Sequence, residues 1–305
     1  DPKKALPLMK KMIDFEDGKI IGKLGNFFKP YFQPYDKELI KTIEKYKKQD
    51  IAAAAQEHIE SLLKELITYQ FAQNNIKKAN LMCAGGVFGN VKITQKLKEL
   101  PIIKDIFVQP HMGDGGLCIG AAALSQNLKG YQIDPLSDVF LGPSINLENF
   151  IKEFEKDKEV SISKPDKLID SICDDLLSSK VIGLLRGRME FGPRSLCNRS
   201  ILFKTSDKKI NFDLNKRLDR TEFMPFAPVI REERAKEAFK GYKNSDLTLQ
   251  YMTSTIDCTD YFKSASPAVV HIDQTARPQI IKKDKNRFIW ELLVKWEKLS
   301  NEPSL

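Results

Sequence analysis

Between residues 79 and 125 the chain twice passes from a short apolar stretch through glycine into a helical pattern, and this alternation narrows the fold more than any other feature. Ala79-Asn80-Leu81-Met82-Cys83 reads as a strand, Ala84-Gly85-Gly86 as a turn, and Val87 to Leu100 as a helix closed by Pro101. Asp105-Ile106-Phe107-Val108 reads as a second strand, followed by a loop from Gln109 to Asp114 and a small-residue helix from Gly115 to Ser125. Strand, turn and helix in that succession build an α/β sheet, with ligands beyond the carboxyl ends of the strands.

The flanking sequence is consistent with two such modules. Residues 1–50 are lysine-rich and broken by Gly22, Gly25, Pro30 and Pro34, with an amphipathic helix predicted over 37–48. Ile51, Ala54, Ile59, Leu62, Leu63 and Leu66 recur at helical spacing, so 51–72 is predicted as a helix. A polar stretch from Asn127 to Lys167, carrying Gly142-Pro143-Ser144, reads as the connection, with helix within 147–155. Beyond it come a helix over 168–177, an apolar strand over 181–185 and an arginine-dense segment. A helix over 231–239, strands over 248–254 and 268–272, and a helix over 287–299 follow. The domain division expected is 1–140 and 141–305.

With 305 residues, of which 42% are hydrophobic and 30% charged, the composition excludes a disordered or collagen-like chain. A chain of this size buries about 75% of its unfolded surface and needs no disulfide or metal staple. No apolar run approaches the roughly 18 residues of a membrane span. The opening Asp1-Pro2-Lys3-Lys4 has no apolar stretch behind it, and the five cysteines lack metal-ligand spacing, so the expected setting is cytoplasmic with reduced thiols. A net charge of +8 attracts anions but is well short of a polycation.

Three constellations carry chemistry. Gly85 and Gly86, at the end of a strand and the start of a helix, let backbone approach a phosphate or other electron-rich group, and Asn90 one turn on would bond a ribose or base. The alternative is a plain strand-to-helix turn. Asp114, in Gln109-Pro110-His111-Met112-Gly113-Asp114-Gly115-Gly116, faces either a cation or the helix as an N-cap, and His111 is a second metal candidate beside it. The third is Arg186-Gly187-Arg188-Met189-Glu190-Phe191-Gly192-Pro193-Arg194-Ser195-Leu196-Cys197-Asn198-Arg199, with four arginines in fourteen residues directly after an apolar strand. Arginine rather than lysine, interrupted by glycine, suits bidentate grip on phosphate or carboxylate oxygens more than a solvated face. Asn215-Lys216-Arg217-Leu218-Asp219-Arg220 and His271 to Gln279 add further charge. In the latter, His271, Asp273 and Thr275 alternate and would share one strand face, as a hydrogen-bonded group or a site wall.

In this order the motifs resemble the NodU/CmcH/TobZ family of O-carbamoyltransferases, over about 51–279. Ala84–Asn90, Gln109–Ala122, Gly187–Ser200, Pro225–Pro228 and His271–Gln279 carry the likeness. The resemblance implies the C-terminal part of an actin/Hsp70-like (ASKHA) domain, similar to Kae/TsaD enzymes, followed by a YrdC-like α/β domain. It implies that carbamoyl phosphate and ATP give carbamoyladenylate and pyrophosphate, and that the carbamoyl group then passes to a hydroxyl of a small-molecule acceptor, such as a sugar or antibiotic. Residue by residue, Asp114 matches a ligand of Fe(II) or another divalent metal. Gly85, Gly86 and Asn90 match the nucleotide-contacting turn. Arg188, Arg194, Arg199 and Arg277 match the basic residues of the carbamoyl phosphate and ATP pocket, the first, second and fourth in catalytic roles. Asn215, Arg217 and Arg220 are further nucleotide-binding candidates. Members often pair, which points to a homodimer.

The chain also departs from the family pattern. His58, His111 and His271 include no pair spaced i and i+4, so the metal site is expected to be incomplete, as in an internal fragment that is inactive in transfer. Asp219, Thr221 and Met224 stand where many members have a lysine and two arginines, leaving Arg217 and Arg220 as substitutes. Cys197 replaces a usual glycine. The competing reading is an RNA-binding protein or enzyme related to tRNA modification. It needs aromatic residues among the basic ones, and only Phe191 and Phe203 qualify, so nucleic acid ranks below.

Overall fold

The computed structural model describes residues 1–23, 37–220 and 226–305. Gly25, Pro30, Pro34, Thr221, Met224 and Pro225 therefore lie outside the described residues. The chain divides into two compact units, Asp1–Leu81 with Ile93–Ile106, and Met82–Lys92 with Phe107–Leu305.

The amino-terminal stretch forms α1 (Leu6–Met12), β1 (Ile13–Glu16), β2 (Lys19–Gly22), α2 (Lys37–Ile43) and α3 (Lys48–Gln73). The strands β1 and β2 are antiparallel, with Ile13 opposite Gly22. Asp17 (φ 49°) and Gly18 (φ 80°) between them are both left-handed, as a tight two-residue hairpin turn requires. The helical spacing read over 51–72 is α3, which buries Ala54, Leu62 and Leu63. His58 is buried on it, with ring Nε2 2.7 Å from the carbonyl oxygen of Ile13.

Next come β3 (Ala79–Cys83), α4 (Val91–Lys98) and β4 (Ile103–Val108), with β3 paired to β4. The helix predicted from Val87 starts only at Val91, because Gly86–Gly89 winds as a tighter 3-10 turn.

A second 3-10 turn, Asp114–Gly116, leads into α5 (Leu117–Leu128), then α6 (Leu147–Phe154) and α7 (Leu168–Leu177). They are followed by β5 (Ile182–Leu185), β6 (Arg199–Leu202), α8 (Lys209–Arg217), β7 (Val229–Arg231) and α9 (Glu232–Ala238). The remainder is α10 (Leu247–Gln250), β8 (Ile256–Asp257), α11 (Asp260–Ala265), β9 (Thr275–Ala276), β10 (Gln279–Ile281) and α12 (Arg287–Ser300). The chain is thus mixed α/β, with strands paired in twos: β5 with β6, β8 with β9, and β10 parallel to β7. Among the described residues no helix is long and apolar enough to cross a membrane.

Two of the predicted strands are not strands. Over 248–254, α10 forms instead, because Asp246 caps it by accepting from the Thr248 amide at 3.1 Å. A cap overrides the β-propensity of Thr and Tyr here. Over 268–272, Pro267 starts a 3-10 turn through Val269. Proline's fixed φ suits a first helical position and removes a strand donor.

Packing sets the positions of these elements. On α12, Ile289, Leu292, Leu293 and Trp296 repeat at helical spacing and bury against Ile172, Cys173 and Leu176 of α7, with Leu202, Val229 and Ile281 closing the cluster. A second cluster joins Ala235 and Ala238 of α9 to Phe239 and Phe262, whose rings lie 4.9 Å apart. Trp296 is fully buried and donates its indole N–H to the carbonyl of Ser304 at 3.1 Å. Glu297, one residue on, accepts from both Arg231 and Arg234.

Trp296→Ala removes the largest buried side chain and its bond, and should cost about 3–5 kcal/mol. A lowered urea midpoint at unchanged slope checks this. Burial raises the Glu297 carboxyl, but the bonds from Arg234 and Arg231 outweigh it and hold the group below the usual carboxylate range. Its folded value is the lower one, so its stabilisation is present above the unfolded value and is lost as pH falls through the folded value. Glu297→Gln should flatten the acid limb of the stability curve, read by urea titration from about pH 6 to 3.

Candidate functional site

The arginine-dense segment is the connection of the β5–β6 hairpin, in which Leu185 lies opposite Arg199. Its shape is set by one carboxylate. Glu190 is buried, and its Oε1 accepts from the amides of Leu196 (2.7 Å), Asn198 (2.8 Å) and Arg199 (3.1 Å). Asn198 closes the loop from the other side, donating Nδ2 to the carbonyl of Arg188 at 2.7 Å. Gly187 (φ 52°) and Gly192 (φ 129°) take left-handed backbone that favours glycine, and a Cβ on Gly192 would lie 3.0 Å from the Pro110 carbonyl. Cys197 also has positive φ, at 73°, and its buried thiol donates to Gln279 Oε1 at 3.2 Å. Burial first, and the neighbouring Glu190 charge second, push that thiol up to about 12, so it is no nucleophile.

Beside the loop is a cavity of about 370 Å³. Arg194, Arg199, Arg220 and Arg277 line it, together with Ser195, Ser200, Gln279, Phe203 and Phe226, and no Asp or Glu is among its described lining residues. Arg194 donates Nη2 to the carbonyl of Gly89 at 2.9 Å, while its Nε is buried without a partner. Burial lowers its pKa, as expected for a desolvated cation. Arg199 is held by the carbonyls of Arg186 and Asn198, each at 2.7 Å, and Gly187 at 3.2 Å. Arg220 lies over the Phe226 ring, 4.9 Å from its centre. The result is a half-buried, positively charged recess suited to oxyanions.

Arg188 is not part of this wall. It donates to the carbonyls of Leu141 (2.7 Å) and Gly142 (3.0 Å), because the backbone around it pairs with the 139–144 stretch through Met189 and Phe191. Arg217 is exposed on the last turn of α8. Asn215, on the same helix, has a buried Oδ1 without a partner and does not line the cavity.

The glycine turn lies in the same unit. Gly85 has φ 112° and donates its amide to the Met112 carbonyl at 2.6 Å, and Gly86 begins the 3-10 turn that ends before Asn90. A Cβ on Gly85 would meet nothing within 4 Å, so the positive φ is what calls for glycine. Asp114 is exposed at the start of its 3-10 turn and caps neither that turn nor α5. The His111 ring packs against Phe191 in a tilted arrangement, with centroids 4.9 Å apart, and its Nδ1 is buried and unpartnered. Among the described residues no three His, Cys, Asp or Glu side chains cluster as metal ligands, so Asp114 has no completed shell around it.

His271, Asp273 and Thr275 do meet, but across a tight turn rather than along a strand. The His271 amide bonds the Thr275 carbonyl at 2.8 Å, and the Thr275 hydroxyl donates to Asp273 Oδ1 at 2.7 Å. Sequence reasoning missed Glu190, whose only sign was an acidic residue isolated among the arginines.

The described cavity coincides with a family match. A model of the carbamoyltransferase C-terminus matches residues 173–305, and one of the carbamoyltransferase N-terminus matches residues 20–123. The chain belongs to the carbamoyltransferase family. It is 30% identical to an uncharacterized protein of Methanocaldococcus jannaschii over 98% of this chain and 48% of that protein. Nodulation protein NolNO of Sinorhizobium fredii is 31% identical over 84% of this chain and 38% of its own length. For nodulation protein NolO of Bradyrhizobium diazoefficiens the values are 30%, 84% and 47%. This carbamoyltransferase-family chain thus spans about half the length of the curated relatives it matches.

Glu190→Leu would leave the buried amides of Leu196 and Asn198 without an acceptor, each costing about 1–3 kcal/mol, and the part-buried amide of Arg199 as well. Glu190→Gln keeps the accepting oxygen and should lose far less. Comparing the two variants in urea unfolding checks whether the loop depends on that acceptor.

Proposed function

We propose that this chain takes part in carbamoyl transfer, with the arginine cavity as the place where carbamoyl phosphate and ATP meet. One observation carries the reading: in the stretch matched to the carbamoyltransferase C-terminus, four guanidiniums and no described carboxylate line a single cavity. In the arrangement we favour, the first part belongs to an actin/Hsp70-like domain and residues 141–305 to a YrdC-like domain.

The chemistry follows from the charges. Carbamoyl phosphate gives up its phosphate to water, leaving carbamate and inorganic phosphate. A carbamate oxygen then attacks the α-phosphorus of ATP, forming the carbamoyl–adenylate bond and releasing pyrophosphate. The first step builds charge on the departing phosphate and the second brings two anions together, and fixed guanidiniums stabilise both without reorganising. Arg194, with its unpartnered buried Nε, and Arg277 fit oxyanion contacts, while Arg199 and Arg220 shape the wall. Gly85, Gly86 and Asn90 would face a nucleotide during transfer to an acceptor hydroxyl on a sugar or antibiotic-like molecule, with release of AMP. A divalent metal such as iron would polarise the carbamoyl carbonyl when bound. Asp114 fits one oxygen ligand, but the described residues do not complete a centre, so no step is assigned to the metal. Pairing into a homodimer belongs to the same reading.

The full-length protein, given ATP and carbamoyl phosphate, should release pyrophosphate, and Arg277→Ala should reduce the rate about 10²-fold or more. A folded protein that yields none overturns the adenylate route.

A further inference from the structure

The Lys92–Asp273 ion pair joins residues 181 positions apart, at 2.7 Å, and nothing in the proposed chemistry uses it. As a contribution to stability it is weak, since both partners are partly exposed (26% and 41%) and such pairs are worth about 0–1 kcal/mol. Its placement is more informative. Lys92 is the second residue of α4, shortly after the glycine turn, and its neighbours bond both to the cavity wall and to the approach to β8. The Gly89 carbonyl accepts from Arg194 at 2.9 Å, and the Val91 carbonyl accepts from the Thr255 amide, just before β8, at 3.2 Å.

On the other side, Asp273 organises the turn that leads to Arg277. Its Oδ1 accepts from the Thr275 hydroxyl at 2.7 Å and the Thr275 amide at 3.2 Å, while Oδ2 takes Lys92. The Thr275 hydroxyl has then spent its proton, so its oxygen is left to accept from His271 Nδ1–H at 3.3 Å. Thr275 is buried and starts β9, which pairs with β8, and Arg277 follows two residues later. Burial opposes the charge on Asp273, but the bonds from Lys92 and Thr275 outweigh it and hold its carboxyl below the usual range, so that carboxyl is ionised at neutral pH. Gln279 then enters β10 and the cavity wall.

We propose that Gly89–Lys92 is a clamp on the arginine cavity, in which Lys92 is a positioning residue that sets Arg277 through Asp273 and Thr275. This rests on the cavity being an oxyanion site. Supporting a binding group through a second layer of contacts is how sites keep their geometry to within about 0.5 Å.

The test measures inorganic phosphate affinity by calorimetry, with the thermal midpoint of each variant, on the full-length protein. Lys92→Met should weaken phosphate several-fold while moving the midpoint by no more than about 3 °C. Lys92→Arg, which can still reach the carboxylate, should restore affinity, and Asp273→Asn should resemble Lys92→Met. Arg277→Ala serves as the control and should weaken phosphate more strongly. If Arg277→Ala weakens phosphate and Lys92→Met does not, the clamp is wrong and the cavity reading stands. If Arg277→Ala has no effect, both fall. A Lys92→Met protein that only melts earlier, with phosphate affinity intact, reduces the pair to a structural contact and overturns the proposal.

Discussion

The carboxylate of Glu190 is the interaction on which the arginine-rich loop depends. A connection of this kind, between two short antiparallel strands, has several backbone amides with no strand partner. Water would satisfy them only if the loop stood open. One buried oxygen satisfies three amides instead, at 2.7 to 3.1 Å, and the loop closes over it. A charged acceptor is a strong partner for buried amides, and losing it would leave all three unsatisfied together. The location of Arg194 and Arg199 is therefore a consequence of a side chain that faces away from solvent.

A second principle concerns how the guanidiniums are held. Arg231 and Arg234 share the carboxylate of Glu297, and that cluster serves stability. In the cavity, Arg194 and Arg199 are held by neutral carbonyls of Gly89, Arg186, Gly187 and Asn198. Carbonyl dipoles orient a cation without cancelling its charge, so the field in the recess stays positive. The cost is desolvation, visible in the lowered pKa of Arg194, and the bond to the Gly89 carbonyl offsets part of it.

Much of the helical architecture was legible. The 51–72 spacing, the 168–177 helix and the last helix all follow from apolar residues that recur on one face, and each buries that face. Short elements were less legible, because two or three residues carry no period. The stretch around Thr248 has the composition of a strand, but the cap at Asp246 turns it into a helix, and Pro267 makes a turn of Ala268 and Val269. The Asp17-Gly18 pair was another readable signal, a hairpin dipeptide between short apolar runs. At the site, glycine spacing marked the arginine loop, but no local pattern said that Arg188 would turn toward Leu141 and Gly142. That depended on a segment some 46 residues away.

The cysteines offer a practical handle. Cys83, Cys173, Cys197 and Cys258 are buried, and burial is the leading cause that pushes each of their thiols upward, whereas Cys118 on α5 is exposed. A maleimide dye added to the folded protein would therefore attach at one place, giving a singly tagged molecule for fluorescence work without engineering.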